Sequence, residues 1–235
     1  MVRLALPLAA ALMALALAAP DAARAADVRH PALVELFTSQ GCSSCPPAEA
    51  NIGALADRPE ILALSFGVTY WDDLGWKDTF AKPAFTARQW DYARGLGHKN
   101  VFTPQVVVNG RKDGVGNDAR ALAQLIRAAD RGVAGPALEI VGAQARIGAA
   151  TAPAPPAEVW LARYDPRVVQ VPIRRGENGG KTLPQRNVVR ELVRLGVWRG
   201  TAETLRLPPL RDPALRSAVF LQLPKGGPIL AAARG

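Results

Sequence analysis

Short apolar runs and one helical stripe alternate along the first part of the chain. The apolar run 33–38 stops at a Ser-Gln-Gly turn and predicts a buried strand, and the run 61–68 predicts a second one. Between them, residues 46–56 place apolar side chains on one helical face after two prolines, which a first helical turn tolerates. Strand, helix and strand in this order predict a βαβ unit with parallel strands.

The pattern then predicts a second helix, a hairpin and a third helix. Residues 85–96 fit a helix that stops near a glycine, and residues 101–110 fit a strand that closes at Asn-Gly, a strong hairpin turn. Residues 112–115 would form the returning strand. Asn117 is the expected cap of a last helix over residues 118–131. This part of the chain therefore predicts an α/β domain with helices flanking a mixed sheet.

Beyond Gly132 the pattern changes to short alternating runs separated by turns rich in Gly and Pro, which predicts strands. Residues 187–198 fit both a helix face and a strand, and the neighbouring strands favour the strand. We expect an α/β domain over residues 26–135 and a β-rich module over 136–235, packed on that domain or linked to it. The other predicted strands of the module are 158–164, 168–173, 218–223 and 229–233.

The first 25 residues have the pattern of a secretory signal peptide. Arg3 precedes an apolar stretch over residues 4–19, and Ala23-Arg24-Ala25 has the small residues of a cleavage site. An N-terminal anchor is the weaker interpretation, because the apolar stretch is short for a membrane span. We expect cleavage near Ala25, a periplasmic or secreted protein, and no transmembrane span in the mature chain.

The net charge of +9 is concentrated in the second half of the chain. Residues 26–135 carry equal numbers of acidic and basic side chains, whereas residues 136–235 carry a net charge of +8. The C-terminal module is therefore a candidate for binding an acidic surface, although an arginine-rich composition alone explains the charge as well. Nucleic acid is not an expected partner of an exported protein.

Cys42 and Cys45 are the only cysteines, and they form a C-x-x-C pair between the first strand and the first helix. A disulfide across so short a loop stabilises a fold by only about 2 kcal/mol in the chain-entropy model, which favours a redox role. The start of a helix favours the thiolate form. We expect Cys42 to attack a partner's disulfide and Cys45 to resolve the mixed disulfide.

Two other groups of residues are candidates for a site. Tyr70, Trp71 and Trp76 belong to an aromatic segment after the second strand, and they either line a groove for a partner or pack the core. His98 would complete a three-ligand metal site with the two cysteines, but nothing in the spacing demands one. Residues 175–182 resemble a phosphate-binding loop but lack its first glycine, so we expect a glycine turn between strands.

The order of these elements around the cysteines resembles the thioredoxin fold over residues 30–132. The resemblance implies that Pro104 follows Thr103 through a cis peptide bond and faces the cysteines, beside the edge where a partner pairs. Thioredoxins usually have tryptophan before the first cysteine, where this chain has Gly41. They also bury an acid beside the cysteines, and no side chain here is evident for proton transfer to Cys45.

Six segments of the chain together resemble one known family: 34–48, 70–72, 74–78, 85–89, 103–105 and 175–178. They look like the bacterial secreted family catalogued as domain of unknown function 1223, and the resemblance runs over nearly the whole mature chain. This resemblance implies a thioredoxin-like fold and export, and it supplies no activity.

The sequence as a whole favours a periplasmic thiol–disulfide oxidoreductase. Its expected partner is a protein or small-molecule thiol or disulfide, and no cofactor is expected. The expected site consists of Cys42, Cys45 and Pro104 with Thr103, and of the aromatic side chains after the second strand. The alternatives are a secreted, non-catalytic binding module with a structural disulfide, or a metal-binding protein.

Overall fold

The computed structural model describes residues 25–235. The predicted signal peptide therefore lies outside the described residues, except for Ala25. Within the described range, none of the helices has the length and apolar character needed to cross a membrane.

Strands and helices alternate in the first half of the chain. Pro46 and Pro47 occupy the first turn of the first helix, where missing N–H groups cost nothing. Asp118, and not Asn117 as the sequence suggested, caps the last helix, because its side chain accepts the N–H of Ala121 at 2.8 Å. The elements are β1 (Ala32–Thr38), α1 (Pro46–Leu55), β2 (Ile61–Gly67), α2 (Pro83–Gly95), β3 (Gln105–Val108), β4 (Lys112–Val115) and α3 (Ala119–Ala128).

The described structure after α3 contains strands and no further helix. The ambiguous segment 187–198 forms a long strand, as its neighbours suggested. Four strands of four residues each, over 138–141, 144–147, 182–185 and 203–206, were not predicted. The elements are β5 (Leu138–Val141), β6 (Gln144–Ile147), β7 (Ala157–Asp165), β8 (Val169–Pro172), β9 (Thr182–Gln185), β10 (Val188–Trp198), β11 (Glu203–Arg206), β12 (Arg216–Gln222) and β13 (Ile229–Arg234).

Both halves of the chain contribute to one mixed sheet of eight strands, in the order β13-β12-β7-β10-β2-β1-β3-β4. Strand β1 pairs with β2 in parallel and with β3 antiparallel. The halves meet where β10 pairs with β2, at Val188 and Ser65. The protein is thus a mixed α/β structure with a large central sheet and few helices.

The two faces of β1 are covered by different helices. Leu33 and Phe37 share a core cluster with Phe85 and Tyr92 of α2. Val34 and Leu36 face the other side, where α1 and α3 supply the apolar cover through Ala48, Ile52 and Leu122. This alternation follows from the two-residue period of a strand, and it leaves the end of β1 enclosed on both faces.

A buried ion pair crosses the α2 face of the sheet. Glu35 of β1 accepts hydrogen bonds from Arg88 of α2, with 2.7 Å between Nε and Oε1, and the Tyr92 hydroxyl donates to the same carboxylate. Arg88 also donates to Gln222 of β12. Because the first-half and second-half strands both contribute, the network joins the two parts of the sheet.

Two smaller sheets lie outside the central one. Strands β11, β6 and β5 form the first, and the hairpin of β8 and β9 forms the second. The hairpin packs Val171, Ile173 and Leu183 against Trp76 and Phe80 of the aromatic segment. This packing brings the loop between β8 and β9 to the cysteine motif.

Candidate functional site

The cysteine motif occupies the loop that joins β1 to α1. Cys42 and Cys45 form a disulfide with a Cα–Cα distance of 5.4 Å. Cys42 is 0% exposed and Cys45 is 1% exposed, whereas Ser43 and Ser44 between them are exposed. The Cys45 N–H donates to the Cys42 carbonyl at 3.2 Å, which closes the turn. The motif therefore presents its serines to solvent and keeps both sulfur atoms covered.

Pro104 lies at the end of β1 from which the cysteine loop begins. Phe37 of β1 pairs with Gln105 of β3, so Pro104 sits one residue beyond that pair, across from Thr38. The Thr103–Pro104 peptide bond is cis. The site residues expected on the cysteine loop and before β3 thus lie at the same end of the sheet, where β1 ends.

Two of the aromatic side chains singled out in the sequence also reach this end. Trp71 donates its indole N–H to the Thr103 hydroxyl at 2.9 Å, and it lies beside Gly41, where an added Cβ would be 3.6 Å from the Trp71 Cβ. Trp76 donates its indole N–H to the Gln40 side chain at 3.0 Å. Tyr70 is 38% exposed. Both tryptophans pack against the site, and Tyr70 is the most exposed of the three side chains.

A buried carboxylic acid that was not evident from the sequence lies one helical turn after Cys45. Glu49 of α1 is 6% exposed, and its backbone N–H donates to the Cys45 carbonyl at 3.1 Å. Its carboxyl accepts hydrogen bonds from Gln185 at 3.0 Å and from Ser65 at 3.2 Å. Burial raises the pKa of Glu49 to about 7, against the lowering effect of these hydrogen bonds.

Buried amides connect this acid to the cysteine loop. Gln185 of β9 donates to Glu49 and accepts a hydrogen bond at 2.9 Å from the side chain of Gln40. Gln40 is 0% exposed, and its backbone N–H donates to Asp78 at 2.8 Å. A continuous polar network therefore runs beneath the loop, and burial raises the pKa of Asp78 within it.

The loop between β8 and β9 covers the cysteine motif, which sequence reasoning missed. Asn178 is 0% exposed and donates its side-chain amide to the carbonyl oxygens of Gln40 at 3.0 Å and Cys42 at 2.9 Å. Glu177 accepts the Ser43 N–H at 2.9 Å, and this contact with Ser43 lowers the pKa of the Glu177 carboxyl. The Arg175–Asn178 segment stood out in the sequence, but nothing local in it indicated these contacts.

The predicted glycine turn is present in this loop, where Gly176 and Gly180 have φ values of 80° and 81°. His98, the candidate third metal ligand, does not meet the cysteines. Its Nε2 atom lies 2.9 Å from an oxygen of Asp113. Among residues 25–235, no group of three His, Cys, Asp or Glu side chains is arranged to hold a metal ion.

Residues 33–222 match the model of a family described as Protein of unknown function (DUF1223). The chain belongs to this family. The match spans the cysteine motif, Pro104 and the β8–β9 loop, so every residue of the site described above lies within the DUF1223 region. No curated protein matches the chain.

Two solved structures are similar to this DUF1223 chain. The crystal structure of protein AGR_C_4864 from Agrobacterium tumefaciens has a TM-score of 0.73 and 32% sequence identity, over 86% of this chain and 92% of that one. HBP35 of Porphyromonas gingivalis has a TM-score of 0.58 and 15% identity, over 88% of this chain and 75% of that one. At this identity the second likeness concerns the fold alone.

Proposed function

We propose that the protein is a thiol–disulfide oxidoreductase whose redox centre is the Cys42–Cys45 pair. The observation that carries the proposal is the disulfide at the junction of β1 and α1 with buried Glu49 one turn along the same helix. A short-range disulfide contributes little to stability, and a carboxyl with a pKa of about 7 is suited to proton transfer at neutral pH.

The proposed exchange conserves electrons and protons. In the dithiol form, the Cys42 thiolate attacks a disulfide of the partner, whose S–S bond breaks as the mixed disulfide forms, and the leaving thiolate takes up a proton from solvent. Cys45 then loses its proton to the Glu49 carboxylate and attacks the Cys42 sulfur, which releases the second thiolate of the partner. The partner gains two electrons, and the Cys42–Cys45 disulfide is restored.

The geometry of the helix supports this role for Glu49. Side chains four residues apart lie on one helical face, and each leans toward the N-terminal end, so Glu49 faces the turn that begins at Cys45. Gln185 and Ser65 keep the carboxyl oriented. Thioredoxins have a buried acid beside their cysteines. In this proposal Glu49 of α1 takes the role of that acid.

We propose a thioredoxin-like domain over residues 26–135 as the frame of this centre, with residues 136–235 as a basic β-rich module. The strand order β2-β1-β3-β4, the parallel pairing of β1 with β2 and the helices on both faces support the assignment. In this frame Pro104 and Thr103 present an edge to the partner, and Tyr70, Trp71 and Trp76 border it. The proposed location is the periplasm, which the pattern of residues 1–25 supports.

Single substitutions at the cysteines test the proposal with purified mature protein and a model disulfide. Cys42→Ser should abolish exchange, because it removes the attacking sulfur. Cys45→Ser should accumulate a mixed disulfide between Cys42 and the partner, which non-reducing electrophoresis and mass spectrometry detect. If both variants exchange at the rate of the wild type, the proposed function is wrong.

A second candidate function is a non-catalytic secreted binding module whose disulfide remains closed. The burial of both sulfur atoms favours it, since an attacking thiol must be reached by its partner. Trapping free thiols in cells by alkylation separates the two candidates. A pair that is fully oxidised under all growth conditions supports the binding module, whereas a mixture of oxidised and reduced chains supports turnover.

A further inference from the structure

One peptide unit of the cysteine motif is held at both ends by neighbouring residues of the β8–β9 loop. Asn178 donates to the carbonyl of Cys42 at 2.9 Å, and Glu177 accepts the N–H of Ser43 at 2.9 Å. These groups are the C=O and the N–H of the same amide, between Cys42 and Ser43. The loop therefore fixes the orientation of the amide next to the proposed attacking sulfur.

Asn178 anchors the loop, and Glu177 depends on that anchor. Asn178 is the buried residue in a stretch, 174–181, that is otherwise exposed. Its side-chain oxygen accepts a hydrogen bond from Lys181 at 3.0 Å while its amide group holds the cysteine loop. Glu177 is exposed, and its carboxylate contacts Ser43, whose N–H it accepts. The position of its charge is thus set by the neighbouring Asn178.

This placement affects the reduced and the oxidised pair differently. A thiolate is stabilised by nearby N–H donors and destabilised by nearby negative charge. Glu177 accepts the Ser43 N–H, which is then not free to donate to a Cys42 thiolate. Its carboxylate also puts a negative charge beside Cys42, so both effects disfavour the thiolate. A disulfide carries no charge and is insensitive to either effect.

We propose that Glu177, held in place by Asn178, is a positioning residue that shifts the equilibrium of the Cys42–Cys45 pair toward the disulfide. The inference deepens the proposed function and rests on it, because the equilibrium has a biological role only if the pair undergoes exchange. In this proposal the β8–β9 loop, which is far from the cysteines in the sequence, influences the equilibrium between the disulfide and the dithiol forms of the motif.

Other charged groups surround the motif and are common to all the variants compared below. Glu49 approaches from α1, and Asp78 approaches from the aromatic segment through the N–H of Gln40. Lys181 is the cationic group of the loop that contacts Asn178. Because these groups stay unchanged, a difference between the wild type and a Glu177 variant reports the Glu177 charge.

The test measures two properties of the full mature chain, the equilibrium with glutathione and the pKa of the Cys42 thiol. In the equilibrium, two glutathione thiols break the Cys42–Cys45 bond and form one glutathione disulfide, and the protons pass to the cysteine sulfurs or to solvent. The pH dependence of alkylation gives the thiol pKa. Glu177→Gln keeps an acceptor for Ser43 and removes the charge. Glu203→Gln on β11, in a different sheet, is the matched control.

We expect Glu177→Gln to raise the equilibrium constant for reduction at about pH 8.5 by about two- to fivefold, the range that interactions between exposed charges reach. The Cys42 pKa should fall by about half a unit in the same variant. Glu203→Gln should match the wild type in both measurements. A Glu177→Gln protein that matches the control in both would overturn the proposal.

A double-mutant cycle tests the role of Asn178. Asn178→Ala should shift the equilibrium in the same direction as Glu177→Gln, and the double variant should show less than the sum of the two effects, because both act through one charge. Additive effects would contradict the anchoring role. These measurements need equilibration with glutathione but no catalytic turnover of a partner, so they stay decisive if the protein does not catalyse reduction of the model disulfide. An active protein with an unshifted equilibrium would refute this inference alone.

Discussion

Replacing Glu49 with glutamine should remove a pH dependence of stability that its burial imposes. Burial raises the pKa of Glu49 from 4.5 to about 7 in the folded protein, whereas the unfolded chain retains the ordinary value. The folded state then binds more protons than the unfolded state between these two values. Stability is therefore lost as the pH rises from about 4.5 through about 7, and the loss is complete above the folded-state pKa.

The magnitude follows from the size of the shift. One pKa unit corresponds to about 1.4 kcal/mol, so the full shift lowers the free energy of unfolding by about 3 kcal/mol at high pH relative to low pH. Glutamine has the shape of the protonated acid and preserves hydrogen bonding to Ser65, but it does not titrate. Glu49→Gln should therefore match the wild type near pH 4.5 and exceed its stability by about 2–3 kcal/mol near pH 8.

Urea denaturation of the oxidised protein, followed by circular dichroism at several pH values, measures this difference. Subtracting the wild-type curve from the variant curve cancels the contributions of the groups that are the same in both proteins. A difference that grows as the pH rises through about 7 supports a buried acid with a raised pKa. A difference that stays constant between about pH 4.5 and pH 8 would refute the reasoning, because Glu49 would then titrate as an exposed carboxyl.

Two further predictions concern stability away from the cysteines. Arg88→Met should destabilise the fold by about 3–5 kcal/mol, because it leaves the buried Glu35 carboxylate without its cation. Urea denaturation measures the loss, and a change below about 1 kcal/mol would argue against the buried pair. Asp118→Ala should cost about 1 kcal/mol by removing the cap of α3, whereas Asn117→Ala should cost almost nothing. Equal losses in these two neighbours would contradict the observed cap.

The sequence predicts the elements around the cysteines well because their information is local. The apolar run that forms β1, the prolines that open α1 and the Asn-Gly turn between β3 and β4 each specify a conformation within a few residues. Asn109 and Gly110 have φ values of 50° and 59°, as that turn requires. The strands β5, β6, β9 and β11 escaped prediction because each has only four residues, with neither an Asn-Gly turn, as between β3 and β4, nor a longer alternating run, as around β8, to mark it.

Long-range pairing explains what the sequence could not reveal about the site. In the sequence, nothing distinguishes Glu49 from an ordinary exposed residue of a helix. Its burial depends on Gln185, which is 136 residues away. Asn178 reads as part of a glycine-rich turn, and its partners Gln40 and Cys42 are equally remote. The pairing of β10 with β2, which places the second half of the chain beside the first, likewise has no local signal.

The reduction potential of the Cys42–Cys45 pair tests the central claim most directly. It is obtained by equilibrating the mature protein with glutathione redox buffers and quantifying the free thiols by alkylation and mass spectrometry. A redox centre that exchanges with partners should have a potential above about −300 mV. A potential below about −300 mV would contradict the account, because such a disulfide resists reduction by cellular thiols and behaves as a structural bond.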